Sequence, residues 1–195
     1  RRLGNRPTTD FEVADMEGLP VVRATSDGGA SSLVTSGDAD PEVYSQLTWS
    51  WRVSNTLDAG DLRSKRGDDV PARVAITFEY SLRDLPLGER LKYRSLKILG
   101  YKDVPLRALH YVWASSVPAG QVLESPYTNW VNVITVRSGE DDVGTWHFER
   151  RNIYEDYIAA FGEPPGPNPG IGIKTETDAP GDSATAYIGD IAQIH

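Results

Sequence analysis

The run Lys65-Arg66-Gly67-Asp68-Asp69, followed by Arg73, sets two adjacent carboxyls among three basic side chains. If Asp68 and Asp69 are desolvated together, their repulsion raises one pKa and supplies a general acid. The same residues also make a salt-bridged loop that fixes the start of the Arg73 strand, and ion-pair networks of that kind perturb pKa values too. A second constellation is His110-Tyr111. With Arg73 on a nearby strand, these are the residue types that suit β-elimination on a uronate glycan. The Arg neutralises the carboxylate and acidifies the C5 proton, and Tyr or His removes that proton and protonates the leaving oxygen. Neighbours on a strand point to opposite faces, however. Unless a bulge intervenes, either His110 or Tyr111 belongs to the core.

Aromatic side chains form the third set. Trp113, Tyr127, Trp130 and Trp146 stand close to loop sequences, where an exposed ring can stack on the apolar face of a pyranose. Tyr127 and Trp130, in Ser125-Pro126-Tyr127-Thr128-Asn129-Trp130, are the leading candidates, because loops carry recognition. Trp49 and Trp51 alternate in register and are assigned to the core. No cofactor is required by these motifs. A structural Ca²⁺ between the first and last strands would take Glu12 (or Asp10) and Asp190, whose hard oxygens suit that ion. Asp178 and Asp182 flank a turn and are read as turn formers. Paired acids for glycoside hydrolysis require a carboxyl separation that spacing along a chain does not give.

These groups must be held by short strands. In Gln46 to Val53, Leu47, Trp49, Trp51 and Val53 share one face while Thr48, Ser50 and Arg52 share the other, a period of two that predicts a half-buried strand. Ala72 to Phe78, Ala108 to Trp113, Val131 to Val136 and Trp146 to Arg150 read the same way, and Gly170 to Lys174 and Ala184 to Ile194 read as closing strands. Ile153 to Phe161 carries apolar residues at helical spacing and ends at Gly162, which predicts one short helix near 153–161. Leu85 to Leu99 is a weaker helical segment. The Pro-rich stretch 163–170 predicts a rigid loop.

Composition narrows the function. The 195 residues suit one domain, 1–195, with residues 1–9 expected to form a poorly ordered arm. The net charge of −8 argues against non-specific nucleic-acid binding, which rests on neutralising phosphates. No apolar run approaches the roughly 20 residues of a spanning helix. With no Cys, disulfides, zinc–thiolate sites and Cys nucleophiles are excluded. Gly-rich phosphate loops, nucleophile elbows and zinc-peptidase helices are missing from the sequence. Of 20 basic residues, 15 are Arg, a type suited to reading carboxylate or sulfate.

Several motifs recur in a fixed order. They are Lys65, Asp68-Asp69 with Ala72-Arg73, Leu109 with Tyr111-Val112-Trp113, Ser125-Pro126-Tyr127-Thr128, Ser138-Gly139, Trp146 with Arg150-Arg151, Asp156 with Phe161-Gly162, and Gly189-Asp190-Ile191. In order and spacing they resemble the bacterial family catalogued as domain of unknown function 3047, over roughly residues 10–195. The resemblance implies a periplasmic or extracellular protein with a β-sandwich akin to carbohydrate-binding modules and jelly-roll lyases. Thr175-Glu176-Thr177-Asp178 departs from the family pattern, which tends toward Asp-Thr-Asp, so a carboxylate at position 175 is missing. The chain opens Arg1-Arg2-Leu3-Gly4 with no apolar leader segment, and any signal peptide is expected to have been removed or left out.

The expectation is therefore an all-β protein, an antiparallel two-sheet β-sandwich of jelly-roll type that binds poly- or oligosaccharide in a groove on one sheet. Asp68, Asp69, Arg73, His110 and Tyr111 are the candidate catalytic groups, and Lys65, Trp113, Tyr127, Trp130 and Trp146 the candidate ligand contacts. An enzyme that cleaves an acidic glycan, by β-elimination or hydrolysis, and a structural envelope protein are the alternatives, since sandwiches host all three.

Overall fold

The computed structural model describes residues 7–58, 60–98, 104–178 and 182–195. Among the described residues twelve strands form two six-stranded sheets. The first sheet holds β1 (Asp10–Met16), β2 (Leu19–Asp27), β11 (Ser183–Ile188) and β4 (Gln46–Val53) in that order, with β12 (Ala192–Ile194) continuing beside β4 past β11 and β9 (His147–Asn152) pairing with β4 as well. The second runs β3 (Ala30–Ala39), β10 (Asn168–Glu176), β5 (Ala72–Thr77), β6 (Ala108–Ala114), β8 (Thr128–Ser138) and β7 (Val122–Ser125).

One pair departs from the wholly antiparallel arrangement expected. β7 and β8 form a hairpin, and β8 returns beside β6 running parallel to it, with His110 opposite Val133. The connection between β6 and β7 therefore crosses β8, where Gly120 N–H donates to Thr135 O (2.7 Å) and Thr135 N–H to Gln121 O (3.0 Å). Those bonds satisfy backbone groups that would otherwise be stranded under the crossing.

Period-two alternation builds the core between the sheets. Leu47, Trp49, Trp51 and Val53 of β4 meet Val74 and Ile76 of β5 and Leu109, Tyr111 and Trp113 of β6. Trp49 and Trp51 are fully buried and pack edge to face with ring centroids 5.4 Å apart. Each such side chain contributes roughly 1.5–3 kcal/mol by leaving water. At one margin Glu149 of β9 accepts from Trp51 Nε1 (3.0 Å) and from Arg137 Nε of β8 (2.6 Å), tying the two sheets together.

Among the described residues two α-helices are present where one was expected. α2 (Ile153–Phe161) is capped by the Asn152 side chain, which accepts from Glu155 N–H, and by Gly162 at φ 74°, a left-handed conformation that favours glycine. α1 (Leu87–Ile98) occupies most of the weaker helical segment, with Leu99 outside the described residues, and none of its residues is fully buried. Most of the expected N-terminal arm, 1–9, falls beyond what is described. Residues 1–6 lie outside the described residues, but Pro7 O accepts from Ala30 N–H and Thr9 Oγ1 donates to Thr175 O (2.9 Å).

Candidate functional site

The chemistry-bearing side chains gather on the outer face of the second sheet. Cross-strand register puts Arg73 of β5 beside Lys174 of β10, and Ala75, two residues on from Arg73, beside His110 of β6, so all of these share the face turned away from the sandwich core. Glu176 follows Lys174 by two residues and projects the same way. The described residues of the 54–71 connection fold across this face. Its Leu62 and Val70 pack with Val112, Ala114, Val117 and Val133 into a second, smaller apolar cluster. Ser116 Oγ donates to Gly60 O (2.6 Å), and a Cβ at Gly60 would lie 2.8 Å from Ser115 Cβ, so the loop is seated as closely as a glycine permits.

Beneath the loop Arg73 is 6% exposed, and both terminal nitrogens of its guanidinium are engaged while Nε has no partner among the described residues. Nη1 donates to His110 Nδ1 (2.8 Å), while Nη2 donates to Asp68 O (3.0 Å) and pairs with Glu176 Oε2 (2.7 Å). Lys174 Nζ pairs with the other Glu176 oxygen. Glu176 N–H donates to Val70 O, which locks the loop to β10. Because a guanidinium only donates, His110 Nδ1 must be the lone-pair nitrogen, and the ring proton sits on Nε2. Burial, then Arg73 and Lys174, push the His110 pKa well below its ordinary range, so the ring is neutral. Burial works against the Glu176 charge, but Arg73 and Lys174 outweigh it and hold the carboxyl below its ordinary value. Asp68 is shifted the opposite way. Burial, then Glu176, raise its pKa, with buried Asp69 adding to the effect and Arg73 opposing it.

The edge of this network reaches solvent at Tyr127, 50% exposed. Its hydroxyl donates to Lys65 O (2.8 Å) and lies 3.3 Å from Asp68 Oδ1, while Lys65 Nζ stands 5.5 Å from the ring centroid. Two open depressions of about 620 and 470 Å³ lie elsewhere, one lined by Tyr80, Tyr93 and Pro105, the other by Glu42, Tyr154 and Ile158.

A family model described as a protein of unknown function, DUF3047, matches residues 2–192. The chain belongs to the DUF3047 family. No curated protein matches it.

In this DUF3047 chain the sequence-derived set divides. Lys65, Asp68, Asp69, Arg73, His110 and Tyr127 converge. Tyr111 does not. It faces the core, unexposed, and its hydroxyl donates to Asp156 Oδ2 (2.9 Å), which Arg151 also holds. Burial, then that carboxylate, push the Tyr111 pKa well up, which removes it as a base. Arg73, neutralised by Glu176, does not offer a free cation to a substrate carboxylate. Trp113 and Trp130 are also unexposed and cannot stack on a sugar. Trp113 Nε1 donates to Gly139 O, and Trp130 lies against Tyr93 and Lys92. Trp146, half-buried, precedes β9 in the other sheet.

Glu12 is on edge strand β1 and pairs with Arg23, while Asp190 is an exposed residue between β11 and β12. Among the described residues no group of three or more His, Asp or Glu is placed to hold a metal. Sequence reading missed Lys174 and Glu176 as members of the site. Their signal was alternation, since residues flanking Thr175 share a face. The acid sought at Thr175 is supplied one residue later, while Thr175 itself is fully buried.

Proposed function

We propose that this protein binds a poly- or oligosaccharide, in the periplasmic or extracellular space, on the outer face of its second sheet. Tyr127 provides the aromatic platform, and Lys65 and Asp68 provide polar contacts around it. The observation that carries the reading is the half-exposed Tyr127 ring, pinned through its hydroxyl by Lys65 O and close to Asp68, at the border of a charge network. An aromatic ring fixed before a ligand arrives loses little conformational freedom on binding, and the adjoining carboxyl and ammonium groups match sugar hydroxyls. A half-exposed ring suits a chain-like ligand better than an enclosed small molecule.

Hydrolysis of the bound glycan is the second reading. It is favoured by the Asp68 carboxyl, which burial and Glu176 raise towards the range of a general acid beside the exposed Tyr127 ring. The β-elimination route keeps no support, with Arg73 neutralised and Tyr111 in the core.

The test is affinity electrophoresis against immobilised neutral and uronate-containing glycans, with reducing ends followed in parallel. Retardation by at least one glycan, lost in Tyr127→Ala, supports binding. Release of reducing ends that vanishes in Asp68→Asn supports hydrolysis. No retardation and no turnover across the panel would overturn both and leave a structural role.

A further inference from the structure

We infer that α1 is a separate membrane-docking element, which seats the protein on the surface of a bilayer rich in anionic phospholipid. Leu87, Leu91 and Ile98 are 75%, 64% and 85% exposed. At about 100° per residue these three fall within an arc of roughly 40°, along one line of the helix. The line runs about 16 Å, given a rise of about 1.5 Å per residue. Scattered exposed apolar residues are ordinary on protein surfaces, but an aligned row on a helix with no fully buried residue is not. On the opposite side, Tyr93 packs against Trp130, so the row points away from the body of the protein.

Charge selects the occupant. The helix carries Arg90, Lys92, Arg94 and Lys97 against Glu89, a net of +3. The whole chain carries −8, so the remainder carries −11 (−8 less +3). Arg94 is exposed next to the apolar row, and exposed Lys92 reaches over the Trp130 ring at 5.4 Å. A basic helix with a narrow aliphatic ridge lies in the plane of a bilayer, with the ridge below the headgroups. Here Arg94 reaches the phosphates, while Arg90, held by Leu85 O, and Lys92 and Lys97, over the Trp130 and Tyr93 rings, add longer-range attraction. Three aliphatic side chains on a convex ridge require no matching hole, and a fluid acyl layer provides none. The surface is independent of the glycan reading. It sits on a different element, and neither outcome at Tyr127 bears on it.

The test is co-sedimentation with vesicles of phosphatidylglycerol and phosphatidylcholine, compared with phosphatidylcholine alone, using the full chain. The expected result is binding to the anionic vesicles at least about 10-fold stronger, weakened as salt shortens the screening length. Leu91→Asp and Ile98→Asp, at solvent-facing positions, should each weaken binding about 10-fold or more with the far-UV spectrum unchanged. Arg94→Glu reverses two charge units at about five-fold each near an anionic surface, so a loss of roughly 25-fold is expected. Failure of the native protein to sediment with anionic vesicles overturns the inference, as does equal sedimentation of the Asp variants. A concentration-dependent dimer that Leu91→Asp dissolves would also overturn it, by assigning the ridge to a second copy of the chain.

Discussion

Arg73 and His110 stand on neighbouring strands, and the guanidinium donates to His110 Nδ1 across 2.8 Å. That bond fixes the imidazole tautomer and turns its remaining proton away from Arg73, while burial, then Arg73 and Lys174, keep the ring neutral. The His110 pKa is displaced downward from 6.5, so in the window between its folded value and 6.5 the unfolded chain takes up the proton first. Stability from this group is complete above about pH 6.5 and declines as pH falls through that window. In His110→Gln the decline should be reduced when unfolding is followed by urea titration from pH 7 downward. The variant should also lose about 1–3 kcal/mol at neutral pH wherever the new side chain fails to accept from Arg73.

Glu176 behaves in the opposite sense. Its pKa is held below 4.5 in the folded state, so the stabilisation exists above pH 4.5 and is lost as pH drops through the folded value. Glu176→Gln leaves Arg73 buried without its counter-charge and should cost about 3–5 kcal/mol. Arg73→Met with Glu176→Met should cost less than the sum of the single changes, because neither partner is then stranded. Chemical denaturation of the four proteins measures the coupling.

Asp68 pays a stability penalty for its position. A carboxyl whose folded pKa is raised destabilises the fold as pH rises through the window above 3.8. Asp68→Asn should therefore unfold at the same temperature or a higher one at pH 7. If the proposed function holds, the same variant binds glycan at least about 10-fold more weakly, the trade-off expected of a group kept for function.

Tyr127 separates ring from hydroxyl. Tyr127→Phe keeps the platform but frees it from Lys65 O and Asp68, while Tyr127→Ala removes it. Glycan affinity should fall modestly in the first and by about 1–2 kcal/mol in the second, with melting temperature little changed, as calorimetry on the best ligand of the panel would show.

Leu62 anchors the covering loop at 2% exposure. Leu62→Ala should cost about 2–5 kcal/mol by opening a cavity in the smaller apolar cluster. Limited proteolysis should then cut within residues 54–71 before any other segment. Cleavage elsewhere, or none, would show that the loop is held by its polar contacts alone.

Alternation made much of this legible in the sequence. Leu47, Trp49, Trp51 and Val53 could occupy only one face of one strand, the Ile153 to Phe161 spacing with Gly162 behind it could form only a short capped helix, and Lys65, Asp68 and Arg73 were close enough in the chain to be found together. What alternation could not say is which face of β6 is which. A period of two separates His110 from Tyr111, yet both faces of the strand are covered, one by the opposite sheet and the other by the loop from residue 54 to 71, so burial gave no contrast between them. Tertiary structure alone put Tyr111 in the core, brought Glu176 from 103 positions away onto Arg73, laid β8 parallel to β6, and left Leu87, Leu91 and Ile98 facing outward. Local spacing is a property of the backbone, whereas pairing across a sheet depends on which distant segments satisfy each other's hydrogen bonds and charges.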